Sequence, residues 1–431
     1  MSVVPMSNLQ IDEAEETTKK SKNMAARRKG VYTETFLYDA LYPLLMAMKL
    51  FGLHNTRHDK NCRLRFVTQI YGIVPGLIIL STLVRTLTLF NTTDGFGQAL
   101  FGKLLNSSWL TWCLCGAISC SRAWFQEEKA PLFFMNFNEV LESCQIKRQC
   151  FKQHLRRRAI ITTCISVVFV VANVILSGYL LLITNFLDDL KTPVSIFYSF
   201  PAWGQTLAIC CLVVAQGYHT ASWIFPITFG HCISLALRLE LKCFNNAFSS
   251  EITDEGRFQG DLDIYRFRHQ IVSRLIEKAD DLLGFHISVN LIFPLAMLIL
   301  LIISVLSDQS ISTNTVYLVP YLYWIGVSSC FVGLVLYDGA FINDAAHASL
   351  SRLHDIKLQN LSNIRDLTEL TAFLNKLSGP PIGVTALGLF VIDKPTILTT
   401  IGMFLTYFVI VVQFRTPTSS GAASGNATLI T

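Results

Sequence analysis

Seven stretches of this chain run for about 20 residues or more with little charge: 66–90, 107–125, 159–184, 198–237, 285–306, 316–342 and 395–414. At 1.5 Å of rise per residue, about 20 apolar residues in a helix match a hydrocarbon core about 30 Å thick. Hydrocarbon offers no water to backbone N–H and C=O groups, so segments that cross it must satisfy them internally, as helices do. The pattern predicts an all-α membrane protein with seven transmembrane helices. Composition agrees, because only 15% of the residues are charged where a soluble domain carries about 25%. A soluble enzyme is thereby disfavoured. The net charge of +5 is small and dispersed, which argues against a nucleic-acid partner.

Basic residues set the orientation of such a bundle. With the N-terminus cytoplasmic, the inner segments hold 30 Lys and Arg, and the outer segments hold only Lys103, Lys191 and Arg415. Arg85 and Lys394 sit near span ends. Seven crossings then leave the C-terminus extracellular. Residues 1–33 are polar and lack the apolar stretch of a cleavable signal, so they read as a disordered cytoplasmic tail. Residues 34–64 read as an amphipathic interfacial helix and linker, since the apolar segment 36–53 is interrupted by Asp39 and Lys49. The fourth block, about 40 residues, exceeds what a bilayer needs. Its C-terminal part is expected to project into a cytoplasmic anchor, joined there by residues 343–394. Pro395 suits a first helical turn and places the last span after it, at 395–414, with 415–431 as a short extracellular tail. The sequons Asn91-Thr92-Thr93 and Asn426-Ala427-Thr428 fall on the outer side, while Asn106-Ser107-Ser108 lies close to the membrane. None of the 12 cysteines lies in an outer loop, so no disulfide framework is implied.

Other seven-helix readings fit poorly. G-protein-coupled receptors keep the N-terminus outside, and the chain lacks Asp-Arg-Tyr after the third span and Asn-Pro-x-x-Tyr in the seventh. A secondary transporter, the main alternative, usually shows internal repeats and mid-membrane ionisable residues. No repeat is found, and Arg85, Asp338, Asp393 and Lys394 all fall near span ends. No Gly-x-Ser-x-Gly, Walker loop or His-Glu-x-x-His is present, and no metal or cofactor site is expected. His347 and His354 are seven residues apart and read as surface or interhelical histidines.

The last span carries the most informative pattern. Thr399, Thr406 and Gln413 recur every seven residues and share one helical stripe, with Met403 and Ile410 between them on nearly the same face. An amide in hydrocarbon is costly unless satisfied, so Gln413 is expected to face protein or water. The stripe suits either a narrow water-filled path between several copies or packing against a neighbouring helix.

Thr406-Tyr407, five apolar residues and Gln413-Phe414 resemble the signature of the insect gustatory receptor family, relatives of the insect odorant receptors. The preceding Thr385-Ala386-Leu387-Gly388-Leu389-Phe390-Val391-Ile392-Asp393 is also similar to that family. The resemblance implies a ligand-gated, nonselective cation channel of four subunits in the plasma membrane of sensory neurons. The subunits are expected to be identical or related, the last helix to line the pore, and a small-molecule tastant to open it. By position, Ile410, Gln413 and Phe414 form the gate, while Thr406 and Tyr407 hold the helix against its neighbours. Apolar residues at Leu367, Leu370, Phe373, Leu374 and Leu377 form a helical stripe for the anchor core.

The family's ligand pocket lies in the outer half, among the second to sixth spans. Candidates there are Trp109, Trp112, Tyr179, Trp203, Gln205, Tyr321 and Trp324, with Tyr198, Tyr317 and Tyr323 nearby. Aromatic rings supply contact area and stacking faces, and a glutamine or hydroxyl orients a ligand. The same residue types also build interfacial belts. Few carboxylates lie at that level, which favours an apolar or aromatic stimulus over a sugar.

Overall fold

The structure, a computed structural model, describes residues 32–54, 62–88, 90, 98–126, 128–143, 148–183, 202–307, 309–357 and 364–413. A 3-10 turn at Tyr32–Glu34 precedes α1 (Phe36–Leu50), α2 (Cys62–Thr88), α3 (Gln98–Ser121), α4 (Lys129–Ser143) and α5 (Arg148–Ile183). A π-helical turn, Arg122–Gln126, extends α3. Then come α6 (Ala202–Ser250), α7 (Leu262–Ser307), α8 (Gln309–Thr313), α9 (Thr315–His347), α10 (Ser349–His354) and α11 (Ile364–Leu377). Strands β1 (Thr385–Ala386) and β2 (Phe390–Val391) form an antiparallel hairpin before α12 (Lys394–Gln413).

Thr35 starts α1: its hydroxyl oxygen accepts from the Tyr38 N–H, satisfying a donor that the first helical turn leaves open. Leu37, Ala40, Leu41, Leu44, Leu45 and Met48 recur at helical spacing and are buried against α4, α5 and α6. The opposite stripe, Tyr42, Met46 and Leu50, is apolar and exposed.

Among the described residues five helices, α2, α5, α6, α7 and α9, are long and apolar enough to cross a membrane, and α12 is a shorter apolar helix. The second block of the sequence, 107–125, lies in α3 and the π-helical turn after it, where Asn106, Ser107, Ser108 and Thr111 dilute the hydropathy. Two helices greatly exceed a bilayer: α6 has 49 residues and α7 has 46. The length of α6 matches the expectation for the fourth block. That of α7 was not foreseen, because 262–284 is polar along part of its circumference.

Packing is tightest where α3, α6, α7 and α9 meet. Pro226, inside α6, has no N–H to offer the carbonyl of Ser222 one turn earlier. Gly116 of α3 lies against that carbonyl, so close that a Cβ would sit 2.1 Å from the oxygen. Only glycine permits this approach. At the far end, α6, α7, α10 and α11 form a separate basal core of Phe244, Phe248, Leu262, Leu353, Leu370, Phe373 and Leu377. Leu374 packs at its margin, but Leu367, expected in this core, is 45% exposed and turned away from it. Ion pairs rim the basal core: Arg266 meets Asp263 and Glu369, and Arg268 meets Glu240.

Candidate functional site

The sequence between the basal core and the last helix folds into a clasp. Leu387 and Gly388 both take positive φ, 53° and 74°, which turns the chain tightly enough to pair Thr385 with Val391 and Ala386 with Phe390. Asp280 of α7 holds this hairpin. Its Oδ1 accepts from the Thr385 N–H at 2.5 Å, and its Oδ2 accepts from the Thr385 hydroxyl at 2.8 Å. Burial raises the Asp280 pKa while those bonds oppose the rise. Thr385 Oγ1 in turn accepts from the Gly388 N–H at 2.9 Å.

Beyond β2 the chain is seated on α9. Ile392 is fully buried, and a Cβ on Gly339 would lie 2.6 Å from its own Cβ. Asp393 caps α12 by accepting from the Thr396 N–H at 2.9 Å, and Lys394 pairs with Asp344 of α9 at 2.7 Å. Pro395 occupies the first turn, as expected. Next to Gly339, Asp338 is buried and bonded across to α6: it accepts from His231 Nδ1 at 2.8 Å and Arg238 Nη2 at 2.9 Å. Asp338, placed near the end of the sixth span by sequence, is thus tied to α6. A small cavity lined by His231, Ser234, His286, Asp338 and Val384 adjoins this triad.

Above its base, α12 is held by one narrow strip. Thr400 is buried, and Ile397 and Phe404 pack against the main core. At about 100° per residue, the Thr399–Thr406–Gln413 stripe lies roughly 150° around the helix from that strip. It faces away from its own subunit, and all three residues are exposed. Thr399 and Thr406 each donate to a backbone carbonyl one turn earlier, of Pro395 at 3.1 Å and Gly402 at 2.8 Å. Ile410, Met403 and Tyr407 are also exposed. Phe414 lies outside the described residues, as do Tyr198, the 1–31 and 415–431 tails and the sequons at 91–93 and 426–428.

Three of the candidate ligand residues gather around one segment of α6. Trp112 is buried, 4.6 Å from the ring of Trp223, and its N–H donates to Asn290 Oδ1 at 2.9 Å. Trp324 donates to Asn173 Oδ1 at 2.8 Å, and Asn173 donates to Thr220 at the same distance. Trp109 stands edge-on to His219, whose Nε2 meets the Thr82 hydroxyl at 3.0 Å. Tyr321 joins a different cluster with Leu301 and Ile311, touching Trp324 edge-on. Tyr179 is 37% exposed. Trp203 and Gln205 belong to the first turn of α6, and their side chains lie outside the described residues. The sequence reading missed His219, Thr220, Trp223, Asn173 and Asn290. A signal existed: polar Gln216, His219 and Thr220 recur at helical spacing inside an apolar block, where polar groups are expensive. His219 Nδ1 and Trp223 Nε1 are buried, with no hydrogen-bond partner among the described residues.

Comparison with known proteins bears on the whole chain. The family described as 7tm Chemosensory receptor matches residues 41–416. The fold is similar to that of the insect olfactory receptor OR5 from Machilis hrabei, with a TM-score of 0.62 at 16% identity, over 89% of this chain and 100% of that one. The same receptor in complex with eugenol gives a TM-score of 0.60 at 12% identity, with the same coverage. No curated protein matches the sequence.

Proposed function

We propose that this chain, which belongs to the insect 7tm chemosensory receptor family, is a gustatory receptor working as a ligand-gated, nonselective cation channel of the plasma membrane. Seven helices, α2, α3, α5, α6, α7, α9 and α12, cross the bilayer with the N-terminus cytoplasmic. Four copies, identical or mixed with related subunits, surround a pore lined by α12. The observation that carries this reading is the direction of the Thr399–Thr406–Gln413 stripe. A row of hydroxyls and an amide turned from its own subunit suits water between copies better than lipid, where polar side chains are costly. Turned toward other copies, it wets a central path. Rings of Ile410 and Phe414 around Gln413 close that path by excluding water. Tyr407, about 100° around the helix from that stripe, holds α12 against a neighbouring helix, and Thr406 does so where the path narrows.

The ligand sits in the outer half near Trp109, Trp112 and Trp324, with Tyr179, Trp203, Gln205 and Tyr321 completing the pocket. An apolar or aromatic small molecule suits these rings better than a sugar. The eugenol complex of OR5 is an aromatic ligand on a similar fold. Binding opens the pore only through a difference in affinity between closed and open states. The path for that difference runs down α6 and α9 to Asp338 and Gly339, then through Ile392 into α12.

Whole-cell recording under a ligand panel tests the reading. Replacing Gln413 by Glu is expected to change ion preference, and a purified four-fold particle is expected in detergent. Substrate flux without current, from a stable monomer, would favour a secondary transporter instead.

A further inference from the structure

We infer that the start of α5 is a binding site for phosphate-bearing anionic lipid headgroups, an inference that rests on the membrane-spanning reading of α5 given above. Five basic residues, Arg148, Lys152, Arg156, Arg157 and Arg158, fall within eleven residues there. Lys152 is answered by Asp39 at 2.8 Å. Arg156, Arg157 and Arg158 are exposed, and among the described residues none of them meets a carboxylate.

This sets them apart from five arginines in and around the basal core, although Arg274 of α7 also meets no carboxylate among the described residues. Arg238 pairs with Asp338, Arg266 with Glu369, Arg268 with Glu240, and even the exposed Arg352 and Arg365 pair with Asp355 and Asp263. Those charges are neutralised inside the protein. The three on α5 are left for something else.

Their position says what. Ile160, Ile161, Ile165, Val168, Val171 and Ile175 are all exposed along α5, an apolar surface that fits hydrocarbon. Arg156 lies one turn before Ile160, and Arg157 one turn before Ile161, so each sits directly below that surface on the same side of the helix. The change from apolar to cationic takes about 6 Å, the depth at which acyl chains give way to phosphates. Guanidinium groups bind phosphate through paired N–H donors, and Arg156, Arg157 and Arg158, about 100° apart around the helix, present those donors along a broad arc at headgroup depth. The occupant is a polyanionic lipid, an inositol phospholipid with ring phosphates, in the leaflet that faces the basal core.

Purified full-length protein and short-chain phosphatidylinositol bisphosphate provide the test, read by thermophoresis. Replacing Arg156, Arg157 and Arg158 together by Gln is expected to weaken binding about a hundredfold, and each alone about fivefold. Replacing the paired Arg352 and Arg365 by Gln is expected to leave it within threefold. The single variants carry the test if the triple variant is not monodisperse. Unchanged binding in the Arg156–Arg158 variants overturns the inference. Equal displacement by millimolar inorganic phosphate also overturns it, by showing a soluble-anion site. Lipid binding by a protein that never conducts sinks the channel reading alone, and current without lipid binding sinks this inference alone.

Discussion

Deleting the carboxylate of Asp338 tests whether the joint under the last helix is an ion cluster or merely a packed seam. The side chains of Asp338, Arg238 and His231 are only 7%, 14% and 17% exposed, so the Asp338 and Arg238 charges depend on each other and on the His231 ring rather than on water. Removing one partner of a buried pair costs about 3–5 kcal/mol, because the survivor stays buried and unpaired. Arg238 also lies over the Tyr337 ring at 5.0 Å, which softens its isolation. About 3 kcal/mol is therefore expected for Asp338→Ala. Arg238→Met is expected to cost a similar amount, since it strips Asp338 of its cation. The double variant leaves neither charge stranded, so its loss is also expected near 3 kcal/mol rather than near 6. Equilibrium unfolding in mixed detergent micelles measures all three. Losses that add to within about 0.5 kcal/mol would show that the two groups act independently and refute the cluster.

Three further outcomes follow from the same geometry. Gly339→Ala gains about 1 kcal/mol of helix propensity but drives a Cβ to 2.6 Å from that of buried Ile392. Overpacking of about 1–3 kcal/mol is expected to win, visible as lower stability and a shifted ligand concentration-response curve. Phe373→Ala empties the middle of the basal core, where Phe373 is fully buried against Phe248 and His269. About 3–5 kcal/mol is expected to be lost, read as dissociation of the particle on size-exclusion chromatography. His269 is held to a pKa of about 4, chiefly by burial, although its hydrogen bond to the Ala346 carbonyl opposes the shift. Below the unfolded value of about 6.5 the unfolded chain takes a proton that the folded one refuses. Stability is therefore full above that pH and falls as pH drops toward about 4, by up to roughly 3 kcal/mol. His269→Gln is expected to flatten unfolding-against-pH curves over that window. His54, held near 3 by burial, contributes a slope of the same sign in both proteins.

Helices were legible wherever hydropathy alone decides them. The expected starts of the third and fifth spans, 159 and 285, and the expected end of the fourth, 237, fall short of the helix ends at Arg148, Leu262 and Ser250, because the helices run beyond any bilayer on polar residues that tertiary packing holds. In α7 the run 262–284 is carried by His269 and Leu275 buried on one side while Arg266 and Asp263 pair on another. Such a face mixes with loop composition when read linearly. The hairpin was invisible for a different reason. Its strands are two residues long, and Leu387 takes a positive φ that an L side chain rarely adopts. The polar pairs of the site join positions far apart in the chain. Trp112 and Asn290 are 178 residues apart, and Arg238 and Asp338 are 100 apart, so no local pattern announces either. Gly116 and Gly339 likewise owe their identity to a neighbouring element, not to a turn of their own.

The attachment of α12 to its own subunit is uneven along its length. At its base the helix is tied by the Asp280 bonds to Thr385, the Asp393 cap, the Lys394–Asp344 pair and the seat of Ile392 on Gly339. Higher up Ile397, Thr400 and Phe404 pack on the same chain, and past Phe404 no described side chain of α12 is fully buried. Local stability follows buried contacts, so the distal end is the part its own subunit holds least. A tilt about the clasp moves that end furthest while breaking the fewest bonds. In the proposed assembly, the distal ends are then restrained mainly by one another, through Ile410, Gln413 and Phe414. A gate built from mutual contacts closes without strain within any one subunit. Under the proposed mechanism it opens when a modest shift at the clasp, of the size a ligand's differential affinity supplies, is lengthened along five turns of helix.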